Sequence, residues 1–164
     1  MINIAKIWKK VSDYPIIQVL LKFNDNAKLF LASYFHRFKA DKLSEKDVKE
    51  IAVCLLRLFT VLELVDIGYS SSTFKTFLFG EIVKMANSSV SVQDIKNGFD
   101  KHISEKWDKF EIKKYVSEYD RNMLVYLNEY LFAQENGLSF VLGSKYDIEH
   151  VMPQSGANLD AIRK

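Results

Sequence analysis

Apolar residues recur at intervals of three and four along most of the first 136 positions, the spacing that gathers them on one side of an α-helix. Ile4, Ile7, Trp8 and Val11 form one such stripe, and Pro15 restarts a helix through Ile16, Val19 and Leu20 from the early position that proline favours. After Asn24-Asp25-Asn26, the segment 27–39 carries Leu29, Phe30, Phe35 and Phe38, with Arg37 and Lys39 at its end, where cations suit the helix dipole. Ser44 with Asp47 reads as a capping box in which Asp replaces the usual Glu. It opens a helix whose body, EIAVCLLRLFTVLELVDIG, is apolar on nearly every side, and Gly68 is placed to stop it. A helix of that kind belongs in the middle of a bundle. Ser72 or Thr73 is expected to cap the helix that holds Phe74, Phe77, Leu78, Ile82, Val83 and Met85, and Ser91 with Asp94 to cap the one that holds Ile95, Phe99 and Ile103. A short helix around Phe110, Ile112, Tyr115 and Val116 follows, then a longer one over 120–134 that ends where Asn136 or Gly137 adopts a left-handed conformation.

Beyond Gly137 the period shortens. Phe140 to Leu142 and Tyr146 to Ile148 are β-type runs around Gly143-Ser144, which predicts a small hairpin. The expected fold is therefore mainly α: a multi-helix bundle around a central buried helix at about 44–67, with a short β-hairpin at the C-terminal end. Two units are expected, a helical domain over 1–139 and a different one beginning at 140. Tyr115, Tyr119, Tyr126 and Tyr130 are spaced like the half-buried face of a helix, so packing accounts for them better than a stacking platform does.

Composition narrows the class. Of 164 residues, 48% are hydrophobic and 27% charged, the balance of a folded domain. The 23 basic and 21 acidic residues are interspersed, so any contact with DNA has to come from local patches instead of a general field. The most apolar run, 51–67, is interrupted by Arg57, Glu63 and Asp66 and reads as a buried helix, not a membrane span. Cys54 is the single cysteine and sits in that run as a small hydrophobe, and the lack of a disulfide framework fits the cytoplasm. His36 and His102 fall in helices and read as packed or surface histidines.

One stretch departs from helical packing: KYDIEHVMPQSG, residues 145–156. Neighbours on a regular strand point to opposite faces, so Glu149 and His150 can serve one centre only if the chain bends after them. Pro153 lacks a ladder donor and biases Met152 toward extended geometry, which ends the strand near His150. Such a pair suits phosphodiester cleavage. A carboxylate is a hard oxygen donor for Mg²⁺ or Mn²⁺, and an imidazole takes a proton from water near neutral pH. The pair also lacks the His-Glu-x-x-His spacing of zinc proteases.

The longer string YDIEHVMPQSG resembles the first half of the ββα-metal motif of HNH endonucleases: an apolar strand, an acid, His, an aliphatic residue, one variable residue and Pro. Following a long helical region, it is similar to the C-terminal domain of GmrSD-type, modification-dependent restriction endonucleases. Those enzymes join a ParB-like, nucleotide-using domain to an HNH nuclease through helices and cut foreign DNA. The resemblance implies His150 as general base, Glu149 as metal ligand, Pro153 and Gln154 as the structural turn, Mg²⁺ or Mn²⁺ as cofactor, and DNA and the remaining domains of the parent as partners. In that family the motif continues with a further strand and a helix bearing an Asn or His. This sequence runs only to NLDAIRK, and no phosphate-cradling glycine loop appears upstream. The expectation is a helical connector plus the truncated start of the nuclease over 140–164, inactive alone. The alternative is a stand-alone helical interaction module in which Glu149 and His150 are tail residues.

Overall fold

A computed structural model describes residues 4–38, 44–121 and 123–142, and the expectations for Glu149, His150, Pro153, Gln154 and Tyr146 to Ile148 lie outside them. Among the described residues the chain is helical and no strand occurs. Phe140 to Leu142, expected to begin the hairpin, is irregular.

The element order is α1 (Ile4–Val11), α2 (Pro15–Phe23), α3 (Ala27–Phe38), α4 (Glu45–Val65), α5 (Ser72–Met85), α6 (Val92–Ser104), a 3-10 turn (Lys109–Glu111), α7 (Ile112–Glu118) and α8 (Met123–Glu135). Local chemistry sets most of these boundaries. The Ser44 hydroxyl accepts from the backbone N–H of Asp47 at 3.2 Å and the Asp47 carboxylate accepts from the N–H of Ser44 at 3.2 Å, a complete capping box. Ser91 and Asp94 repeat it at α6, at 3.2 and 2.8 Å. Gly137, at φ +63, closes α8: Leu138 N–H bonds Ala133 C=O at 2.8 Å and Gly137 N–H bonds Gln134 C=O at 3.4 Å, the paired contacts of a Schellman stop. Gly68, at φ +75, lies two residues past the α4 cap in a turn closed by Tyr69 N–H on Asp66 C=O at 2.8 Å.

Two boundaries differ from the sequence expectation. The residue before α5 is Ser71, not Ser72 or Thr73, and its side chain caps nothing; the hydroxyls of Ser70 and Ser72 bond each other at 2.5 Å instead. α8 begins at Met123, three residues later than the apolar pattern predicts, and Tyr119 and Arg121 before it contact α4 as described below.

α4 is the central element. It packs on α2 along one side, on α6 along another and on α7 near its end, while α3 bridges α1 and α5 and α8 lies on α2. Val48, Ile51, Ala52, Leu55, Leu58 and Phe59 of α4 have no appreciable solvent exposure. Aromatic rings tie the surrounding helices together edge to face: Phe30 of α3 and Phe77 of α5 both meet Phe99 of α6, at 5.3 and 4.9 Å, and Phe59 of α4 meets Phe74 of α5 at 5.3 Å. α4 is not apolar on every side, however. Lys49, Val53 and Arg57 recur every fourth residue as an exposed stripe, and that stripe borders the main cavity.

Candidate functional site

Three places in the bundle bring polar or unfilled features together. The first joins the end of α4 to the α7–α8 connection. Glu63 is 3% exposed, and one of its carboxylate oxygens accepts from Arg121 Nη1 at 2.7 Å and from the Tyr119 hydroxyl at 3.2 Å. Burial, reinforced by the Glu63 charge, pushes the Tyr119 hydroxyl up to about 12, so it remains a donor throughout the neutral range. The group is satisfied within itself and acts as a tie. Sequence reading registers Glu63 only as an interruption in an apolar run.

The second place is the seam between α5 and α6, which run past each other in opposite directions. Phe77 stacks on His102 at 4.0 Å with nearly parallel rings, and one turn away Glu81 faces Gly98. A β-carbon at Gly98 would stand 3.0 Å from both carboxylate oxygens of Glu81, tighter than ordinary van der Waals contact, so any larger residue there has to displace the Glu81 head. Glu81 is 1% exposed and pairs through one oxygen with Lys84. Its other oxygen and His102 Nε2 are buried without a hydrogen-bond partner among the described residues. Burial pushes the His102 imidazole below its ordinary value, aided by the nearby Lys106, with Glu105 and Glu81 opposing. Neither Glu81 nor His102 lines the main cavity. His102 is thus a packed histidine, as its position in an amphipathic helix implies, while His36 is exposed.

The third place is a cavity of about 500 Å³ beside α4. Val53, Leu56 and Leu64 of α4, Trp107, and Leu127 and Leu131 of α8 give it a predominantly apolar wall. Two polar bridges stand at its edge. Arg57 Nη1 donates to Asp100 Oδ1 at 2.7 Å, and Lys49 Nζ donates to Gln134 Oε1 at 3.4 Å. No single sequence segment announces this space, because α2, α4, α6, α7 and α8 all contribute to it.

Tyr126 and Tyr130 are buried and Tyr115 and Tyr119 half-buried, in keeping with packing. Cys54 is buried, its thiol directed at Glu50 C=O at 3.5 Å, and burial pushes its pKa up, which suppresses the reactive thiolate. Among the described residues, no three His, Cys, Asp or Glu side chains gather in a way that could hold a metal ion, and no helix is long and apolar enough to cross a membrane. Glu149 and His150, the acid and base singled out from the sequence, lie outside the described residues. No family model, curated protein or solved structure matches this chain.

Proposed function

We propose that this chain is the helical region and the opening of the HNH domain of a GmrSD-like DNA endonuclease, acting in restriction of foreign DNA in the cytoplasm. The observation that carries the reading is the string Tyr146-Asp147-Ile148-Glu149-His150-Val151-Met152-Pro153-Gln154, with its acid, histidine and proline in the order of a ββα-metal motif. A helical bundle ending in a defined stop at Gly137, followed by a change to two-residue periodicity, supports it. That change is where the hairpin of the motif is expected, with residues 140–164 as its start.

His150 is the general base: it accepts a proton from the attacking water as the new phosphorus–oxygen bond forms and the bond to the leaving sugar oxygen breaks. Glu149 offers a hard carboxylate oxygen, which fits Mg²⁺ or Mn²⁺. Such an ion, when bound, supplies charge stabilisation at the phosphate. Pro153 ends the strand and so lets neighbouring side chains turn to one centre.

The test is cleavage of modified and unmodified DNA, with Mg²⁺ or Mn²⁺, by the protein encoded by the full reading frame that contains this chain. His150→Ala is expected to lower the rate by roughly 10²- to 10⁴-fold, the range of general-base catalysis. Cleavage unaffected by that substitution would overturn the assignment. A second reading, a helical interaction module, is favoured by one observation: Phe110 and Val116 at the α7 end are 84% and 58% exposed. It predicts partner binding that survives removal of residues 141–164.

A further inference from the structure

We infer that the cavity beside α4 is a binding site for a small anionic amphiphile, with an apolar chain inside and a carboxylate-type head at Lys49. At about 500 Å³ the space falls within the size range of ligand sites, about 300 to 1,000 Å³. The wall offers Leu56, Leu64, Leu127 and the Trp107 ring for a flexible hydrocarbon chain to lie against.

The charge at the edge selects the head group. Arg57 is neutralised by Asp100 at 2.7 Å. Lys49, exposed and one turn before Val53, donates to the neutral amide of Gln134 at 3.4 Å; Glu45, one turn earlier on α4, is the acid whose charge reaches this edge, where it helps burial push the Tyr130 hydroxyl up. A cation facing an apolar cavity, with a neutral partner, attracts an anion whose tail is apolar. Val53, Ile112 and Leu131 are 38%, 42% and 46% exposed in the chain without ligand, and an occupant would cover apolar surface that now meets water.

Dodecanoate and the uncharged 1-dodecanol serve as probes, titrated into the 164-residue chain with calorimetry and tryptophan fluorescence as readouts. Trp107 lines the cavity, so saturable one-to-one binding of dodecanoate is expected to change an emission signal that Trp107→Phe removes. Lys49→Gln should weaken dodecanoate about tenfold and leave dodecanol unchanged, and Val53→Phe, which fills the space, should abolish both. Where Val53→Phe does not fold, as judged by circular dichroism, Leu131→Phe fills the same space from α8. Absence of saturable binding, binding indifferent to a folded filling variant, or a dimer in sedimentation that Val53→Glu separates would each overturn the proposal.

Discussion

Replacing Arg121 by Ala would leave the Glu63 carboxylate, 3% exposed, with the Tyr119 hydroxyl as its remaining partner of the two. Breaking a fully buried ion pair in this way costs about 3–5 kcal/mol, because a charge is stranded away from water. The Arg121 side chain is 41% exposed, however, so water screens the pair and can approach the carboxylate once the guanidinium is gone. The cost expected for Arg121→Ala is therefore about 2 kcal/mol. Glu63→Gln keeps the shape and removes the charge. On that background Arg121→Ala strands nothing, and its cost should fall to about 0.5 kcal/mol, the ordinary effect of a surface change. The difference gives a coupling of about 1.5 kcal/mol, well above the few tenths found for independent sites. Urea denaturation of the four proteins, with a common dependence on denaturant concentration, measures it. Strictly additive effects of the two substitutions would refute the reasoning, since they would mean that the 2.7 Å contact does not determine the state of Glu63.

Gly98→Ala sets helix propensity against packing. The alanine gains about 1 kcal/mol as a helix former, but its β-carbon would meet the Glu81 head at 3.0 Å; the expected outcome is a net loss of about 1 kcal/mol in the natural protein and a gain of similar size when Glu81 is Ala, measured by thermal and urea unfolding. A Gly98→Ala effect independent of Glu81 would remove the close approach as the reason for glycine. His102, whose folded-state pKa lies below its ordinary 6.5, takes up a proton more readily when the chain is unfolded; stability is therefore expected to fall as pH drops below about 6.5 and to level off below the folded-state value. His102→Phe keeps a ring against Phe77 and should reduce that slope in urea midpoints taken between pH 7.5 and 5, whereas identical slopes in the two proteins would show that His102 does not titrate differently on folding.

The features legible in the sequence are those decided within four or five residues. Ser44 with Asp47, Ser91 with Asp94, and Gly137 each satisfy backbone groups at their own helix end, and each does in the structure what its spacing implies. The central place of α4 was legible for a related reason: a long stretch with so few polar positions must be covered from several directions. Contacts between distant segments were not legible. Glu63 and Arg121 are 58 positions apart and leave no periodic trace, although Tyr119 and Arg121, just before α8, both reach back to α4. Gly98 and Glu81 are similarly silent, since the need for glycine arises only when the two helices meet.

The acid and base of the proposed nuclease form a string of the same short range, outside the described residues. Glu149 and His150 are adjacent, and the residue that would turn them toward one centre, Pro153, is three positions away. The proposal for them therefore rests on the string alone, independently of how the helices pack. The cavity stands at the opposite extreme, as a gap among five helices whose occupant is chosen by one lysine and a set of apolar walls with no common sequence segment. The two proposals thus fail separately: loss of DNA cleavage in His150→Ala says nothing about Lys49, and a filled cavity in Val53→Phe leaves the Glu149–His150 string untouched. A Val53→Phe protein that keeps its fold, loses dodecanoate and also loses DNA cleavage would show that the bundle's cavity and the nuclease are coupled through the helices between them.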